Sequence, residues 1–260
     1  MLETGQGVDI LTEIGQIKSP EAAQALLVDT LDQEQLAKLA PIQNPDALLK
    51  IANAIVMCQP QRVVINSGSA RDRQFIRDLA LEKGEEKPLA MPNHTIHFDL
   101  KDEQGRIIDR TFYIANEGEK INSLANKMDR NEAFDDVRAG MSGIMRDMTM
   151  IVGFYVRGPI GAPAANPAIE ITSSAYVSHS AEILYRNCFA HFDAEVARAG
   201  HFYTNIHSEG PNRPEDRPRA RVFMDRSHRT TYSYFCTYAG NTLLLKKGNH
   251  RFSVDKAVYQ

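Results

Sequence analysis

The chain has 260 residues, of which 43% are apolar and 24% charged, and its formal net charge is -3. This is the composition of an ordinary soluble globular protein, long enough for one large core or two small ones. The slightly acidic balance gives no basic surface for nucleic acid and no polybasic signal for a membrane.

The cysteines and the N-terminus exclude several further classes. Cys58, Cys188 and Cys236 are far apart and not in CxxC spacing, so we predict buried free thiols rather than disulfides or a zinc site. Residues 1–5 lack the basic and apolar regions of a signal peptide, and no apolar run is long enough to span a membrane. We therefore expect a cytoplasmic protein.

The first sixty residues are predicted to be mainly helical. Ser19-Pro20-Glu21 is typical of a helix N-cap followed by Pro at the first helical position. Asn44-Pro45-Asp46 predicts the start of a second helix, which Pro60 ends.

A strand, a turn and a helix follow in that order. A strand is predicted at Arg62 to Asn66, which contains the β-branched run Val63-Val64-Ile65. A helix is predicted from Asp72 to Lys83. The intervening Ser67-Gly68-Ser69 favours an ordinary N-cap, because it is too short to be a phosphate-binding P-loop. The order strand, turn and helix is characteristic of α/β proteins.

The remaining pattern is mostly of strands. Helices are predicted from about residue 131 to Met148 and from Ala175 to Ala190, and residues 158–163 form a Gly/Pro loop. Further strands are predicted at residues 94–98, 111–114, 150–156, 169–172, 202–207, 221–225 and 231–235.

The most informative stretch runs from Tyr238 to Lys247. An aromatic residue, a small-residue turn, an amide, an apolar run and the Lys246-Lys247 pair follow one another directly. Gly240 allows a ligand to approach the backbone closely, and the lysines can meet an anion. A Lys-Lys pair alone is more often a solvated surface, so this motif needs a context.

Four segments in register give that context. They are the strand and Gly-Pro loop that begin at Met150, the EITSSAYV segment from Glu170, the HSEG turn from His207, and YAGNTLLLKK from Tyr238. They resemble, in order, the family's Gly-Pro loop and its ELTDSPYV, HSVG and YGGNSLLGKK motifs. The whole chain therefore resembles the N-terminal domain of GTP-dependent phosphoenolpyruvate carboxykinase in its archaeal-like form.

The resemblance implies a fold and a reaction. The fold is α/β, a mixed β-sheet with flanking helices, and residues 1–260 would form one substrate-binding domain with a helical segment at 1–60. The reaction is that of a carboxy-lyase, which converts oxaloacetate and GTP to phosphoenolpyruvate, CO2 and GDP. The family uses Mn²⁺ at the catalytic centre and Mg²⁺ with GTP, and we expect a monomer.

The resemblance also implies residue roles. Lys247 is similar to the family's Mn²⁺ ligand, and Lys246 to the lysine that contacts the transferred phosphoryl group. Tyr238 is similar to the tyrosine against the substrate carboxylate, and Gly240 with Asn241 to the carboxylate-binding turn. Arg106, in GRIIDRT, is similar to the arginine of ARIESKT that clamps the carboxylate with its guanidinium fork.

The sequence departs from the family in three respects. Ala239 and Leu245 stand where glycine is common, which affects how closely a substrate can approach the turn. No GxxxxGK[ST] pattern for nucleotide phosphates occurs. We therefore expect a part of a longer enzyme that alone neither binds GTP tightly nor turns over.

Two alternatives remain at this point. One is a non-enzymatic, stand-alone carboxylate-binding or regulatory protein derived from the domain. The reading frame after Gln260 separates it from the enzyme, because the enzyme continues into a P-loop. The other is a generic α/β scaffold, in which neither Arg106 nor Lys247 contributes to binding.

Overall fold

The computed structural model describes residues 5–98, 108–119, 121 and 126–237. Its helices are α1 (Ile10–Gly15), α2 (Pro20–Thr30), α3 (Gln33–Leu39), α4 (Pro45–Cys58), α5 (Ala70–Glu82), α6 (Arg130–Met141), α7 (Ala175–Leu184) and α8 (Phe192–Ala199). Its strands are β1 (Arg62–Asn66), β2 (Lys87–Pro88), β3 (Thr95–Ile96), β4 (Thr111–Ala115), β5 (Lys127–Asp129), β6 (Thr149–Arg157), β7 (Asn166–Thr172), β8 (Arg186–Asn187), β9 (Tyr203–Ser208), β10 (Arg221–Asp225) and β11 (Thr230–Tyr234). Short 3-10 turns lie at Ile108–Arg110, Phe189–His191 and Pro214–Arg219.

Within the described residues, nine strands form one mixed sheet. Eight of them lie in the order β1-β6-β7-β9-β11-β10-β4-β5, and β8 pairs with β6 beside this path. Strands β7, β9 and β11 run parallel to one another, and β10, β4 and β5 run in the opposite direction. A separate antiparallel pair is formed by β2 and β3. The mixed sheet that the resemblance implied is therefore confirmed.

Helices cover both faces of the sheet. The main core joins one face of β6, through Met150, Val152 and Phe154, to α1, α2, α4, α6 and α8. On the other face, Ile151 packs against Ile76 of α5 and Ala175 of α7. Strand β6 is buried along its middle on both faces, as its continuous apolar run predicts.

The predicted helix starts are confirmed by their capping bonds. The Ser19 hydroxyl accepts from Ala22 N at 3.2 Å, and the Asn44 side chain accepts from Ala47 N at 3.0 Å. The Ser69 hydroxyl accepts from Asp72 N at 3.1 Å, so the Ser67-Gly68-Ser69 turn is a helix cap. Cys58, Cys188 and Cys236 are buried free thiols, as predicted.

The predicted helix over residues 131–148 is wrong in its second half. Helix α6 ends at Met141, and Gly143 takes a left-handed backbone with φ +70°. Gly143 N then donates to Met57 O at 2.8 Å, and Met145 N donates to Cys58 O at 3.0 Å. These bonds to the end of α4 replace the helical ones, while Met145 still reaches the core.

Two further boundaries are corrected. Helix α7 ends at Leu184 rather than Ala190, because Arg186 and Asn187 pair with the C-terminal part of β6. The strand predicted at residues 94–98 is limited to β3, which pairs only with the two residues of β2. No helix in the described ranges is long and apolar enough to cross a membrane.

Candidate functional site

The parallel strands β7, β9 and β11 have their C-termini at the same end of the sheet. We call the residues that follow them, 173–174, 209–210 and 235–237, the carboxyl rim. Strands β10 and β4 run in the opposite direction, so their first residues, Arg221 and Thr111, also lie at this end of the sheet. The rim is thus the place where several loops converge on the sheet.

The strand register puts the chain entering β4 close to the chain leaving β11. Tyr234 pairs with Arg221, and the adjacent Val222 pairs with Thr111. Two strand spacings separate β11 from β4, which corresponds to about 10 Å. The 3-10 turn Ile108–Arg110 and the rim residues 235–237 therefore approach the sheet on the same side.

The predicted site residues fall just outside the described residues. Arg106 precedes Ile108 by two positions, and Tyr238 directly follows Thr237. Gly240, Asn241, Lys246 and Lys247 lie further along the same undescribed segment. The roles of these six residues stay predictions. The structure describes only the residues next to them, Ile108 and Thr237.

His207 ties the three strand ends together. Its Nδ1 lies 2.8 Å from the Thr172 hydroxyl, and its Nε2 lies 2.8 Å from the Cys236 carbonyl oxygen. A carbonyl can only accept, so Nε2 carries a proton, and in the neutral ring Nδ1 accepts from the threonine. The ring is fully buried. His207 therefore braces the ends of β7, β9 and β11 against one another.

A second set of bonds fixes the turn after β9. The Ser173 and Ser208 hydroxyls are 2.8 Å apart, and Gly210 N donates to the Ser208 hydroxyl at 3.1 Å. Gly210 has φ +62°, and an added Cβ would lie 2.9 Å from the Phe235 ring. Only glycine fits this turn without moving Phe235, which begins the chain segment leading to Tyr238.

Two charged residues from the segment between α5 and β2, Lys83 and Glu85, contact the chain between β7 and α7 beside this turn. Glu85 accepts from Tyr176 N at 2.7 Å and from the Ser174 hydroxyl at 2.8 Å, at the first turn of α7. Lys83 bonds to Glu85 at 2.6 Å and donates to Ser173 O at 2.8 Å. A carboxylate at a helix N-terminus is favourably placed, so Glu85 fixes the start of α7 at the rim.

Glu209 is the rim residue whose protonation is most perturbed. Its side chain is partly buried, and it stands where the HSVG motif has valine. Burial and the nearby Glu85 carboxylate raise the pKa of Glu209 to about 7, against a weaker opposing effect of a hydrogen bond with Ser174 and of Lys83. The rim therefore contains a carboxyl group that titrates near neutral pH.

Comparison with known proteins decides the family. A family model described as the phosphoenolpyruvate carboxykinase N-terminal domain matches residues 50–258. The chain belongs to this family. The match includes the carboxyl rim and both segments that carry the predicted site residues.

Relatives with assigned names agree with the family. The chain is 34% identical over 232 residues to the phosphoenolpyruvate carboxykinase [GTP] of Thermococcus kodakarensis, covering 88% of this chain and 37% of the relative. It is 36% identical to that of Thermococcus sibiricus with the same coverage, and 35% identical to that of Saccharolobus solfataricus, covering 88% and 36%. The chain thus spans little more than a third of these carboxykinases.

The described residues do not by themselves supply a metal site for a carboxykinase. Within them, no group of three His, Cys, Asp or Glu side chains could hold a metal ion. The predicted ligand Lys247 belongs to the undescribed segment. A metal role for it is therefore carried by the family motif alone.

Sequence reasoning missed the charged cluster of this carboxykinase domain. Lys83 and Glu85 lie in the run KGEEK, which is typical of an exposed surface. Their partners at 173–176 are about ninety residues away, so no local pattern could indicate the contact. Glu209 had a usable signal, because a charge replaces an apolar residue inside a matched motif.

Proposed function

We propose that this chain is the substrate-binding part of a GTP-dependent phosphoenolpyruvate carboxykinase. The reaction is the conversion of oxaloacetate and GTP to phosphoenolpyruvate, CO2 and GDP. Membership of the family and the names of the relatives support this proposal. The observation that carries it is the strand register, which brings the start of β4 and the end of β11 to the carboxyl rim. These are the strand ends next to the two segments of the proposed site.

The substrate carboxylate is assigned to Arg106 and to the turn after β11. The Arg106 guanidinium would bind the carboxylate with two parallel hydrogen bonds. Tyr238, the Gly240 backbone and Asn241 would hold the same group from the other side. The close approach of β4 and β11 supports this pairing, since their ends are about 10 Å apart.

The lysines are assigned to charge stabilisation. Loss of CO2 from oxaloacetate leaves an enolate, and its negative oxygen must be stabilised before it attacks the γ-phosphate. Lys246 would face the phosphoryl group, and Lys247 would be a metal ligand. A bound Mn²⁺ supplies positive charge at the substrate oxygen.

The nucleotide is assigned to residues outside this sequence. The relatives are longer, and the sequence contains no Gly-rich loop ending in Lys-Ser or Lys-Thr. GTP and its Mg²⁺ would therefore be bound by the remainder of a longer carboxykinase, and the 260 residues alone would not turn over. A monomeric cytoplasmic enzyme completes the proposal.

Oxalate binding tests the assignment, because oxalate resembles the enolate. We expect the 260-residue protein to bind oxalate weakly in a calorimetric titration, and Arg106→Gln to weaken binding at least tenfold through loss of the guanidinium fork. Arg77→Gln, in α5 and in neither proposed segment, is the matched control and should bind like the wild type.

Two results would contradict the proposal. One is oxalate binding that is equal in Arg106→Gln and the wild type. The other is the complete absence of oxalate binding from a protein whose circular dichroism shows it to be folded. Oxaloacetate decarboxylation that depends on GTP, measured on the 260-residue protein, would contradict the assignment of the nucleotide to other residues.

A further inference from the structure

A cavity of about 440 Å³ lies at the opposite end of the sheet from the carboxyl rim. It is bounded by the start of α4, the N-cap of α1, the segment before β9 and the turn between β10 and β11. We call it the amino-end cavity. Its volume is within the range of small-ligand sites. Nothing in the proposed carboxykinase function uses it.

Two of the charges in the amino-end cavity neutralise each other. Lys50 Nζ lies 2.7 Å from Asp9 Oδ2 and donates to the Thr230 hydroxyl at 3.2 Å. The Asp9 carboxylate also accepts from Leu11 N and from the Thr12 hydroxyl, both at 3.2 Å. This pair caps α1 and joins it to α4, so it offers a ligand little net charge.

Arg229 contributes a positive charge that is not neutralised in this way. It lies in the β10–β11 turn with φ +48°, and its carbonyl accepts from Thr204 N at 2.9 Å. Within residues 5–98, 108–119, 121 and 126–237, no side chain pairs with its guanidinium. A half-buried guanidinium with unused donors in a cavity wall suits a planar anion.

His228 supplies a second polar group beside Arg229. Its Nδ1 lies 3.1 Å from the buried Asp225 carboxylate, which can only accept, so Nδ1 carries the proton. The ring is thereby held in a fixed orientation at the cavity wall.

The remaining residues that line the cavity indicate which kind of anion it can bind. Asp46, the remaining carboxylate, is exposed in the first turn of α4, where the helix N-terminus favours a negative charge. Leu49, Val196 and Phe202 give an apolar wall. From this combination of Arg229 and apolar side chains, we propose that the amino-end cavity binds a small carboxylate with a short hydrocarbon chain.

Butyrate is a suitable probe, with butylamine and 1-butanol as matched cationic and neutral compounds. We expect butyrate, but neither of the others, to bind in a calorimetric titration. Arg229→Gln should weaken butyrate binding at least tenfold, while Arg77→Gln should not change it. Arg229→Gly is the second variant, because glycine suits the positive φ and keeps the turn while removing the side chain.

Several outcomes would overturn the proposal. Equal binding of 1-butanol would show an apolar pocket without anion recognition, and unchanged affinity in both Arg229 variants would show that Arg229 is not involved. Tighter binding of inorganic phosphate than of butyrate would contradict the carboxylate class. Displacement of butyrate by oxalate, at concentrations that saturate the Arg106-dependent site, would place butyrate at the rim instead.

Discussion

Asp225→Asn is expected to destabilise the protein by about 3–5 kcal/mol, because it leaves a buried arginine without a counter-charge. Asp225 is fully buried, and its carboxylate accepts from Arg130 Nη1 at 2.7 Å and Nη2 at 2.9 Å. Arg130 is itself buried and also donates to the Val8 carbonyl at 2.8 Å. Chemical unfolding in urea measures the loss.

The charge state of Asp225 accounts for the size of this effect. Burial raises the pKa of Asp225, but the hydrogen bonds from Arg130 and His228 outweigh it, so the pKa lies below the ordinary value. A depressed carboxyl pKa contributes stability that is complete above the unfolded value and is lost as the pH falls through the folded value. The pair is therefore intact at neutral pH.

An exposed ion pair provides the control for Asp225→Asn. Lys18 and Glu13 are 3.2 Å apart with side chains 58% and 39% exposed. Glu13→Gln should cost less than about 1 kcal/mol. In addition, Arg130→Met combined with Asp225→Asn should cost less than the sum of the two single changes. Additive costs would show that the two residues do not act as a pair.

Glu209→Gln is expected to stabilise the protein at pH 8 by about 2 kcal/mol, allowing for the partial exposure of the side chain. Burial and the Glu85 carboxylate raise the pKa of Glu209 from 4.5 to about 7. A carboxyl pKa that is raised on folding favours the folded state only while the group is protonated. Stability is therefore lost between about pH 4.5 and pH 7, and the neutral amide avoids this loss.

The test is a pair of urea unfolding curves for each protein. At pH 5 the two proteins should differ by less than about 1 kcal/mol, since folded Glu209 is protonated there. The exposed Glu215→Gln is the control and should show no such pH dependence. Destabilisation by Glu209→Gln of the same size at pH 5 and pH 8 would show that the carboxylate is ionised and well accommodated.

Local chemistry made parts of the fold predictable. The caps at Ser19, Asn44 and Ser69 depend on bonds within three residues, so their sequence patterns were sufficient. The predicted C-terminal ends of α6 and α7 were wrong, because backbone hydrogen bonds to distant residues of α4 and β6 determine where these helices stop. An apolar pattern gives no information about such distant partners.

The candidate site shows the same division. Motif resemblance indicated Arg106 and the Tyr238–Lys247 segment, and the strand order then placed their flanking residues on one side of the sheet. The bonds of Glu85 at the start of α7 join segments that are far apart in sequence, and no spacing rule predicts them. Glu209 was visible only as a charge within an otherwise matched motif.

The central claim is that the chain before β4 and the chain after β11 form one carboxylate site. Nuclear magnetic resonance during an oxalate titration tests it most directly. We predict that the amides of Asp109 and Arg110, and those of Cys236 and Thr237, shift together with a single dissociation constant. Shifts confined to one of these segments, or different dissociation constants for the two, would contradict the claim.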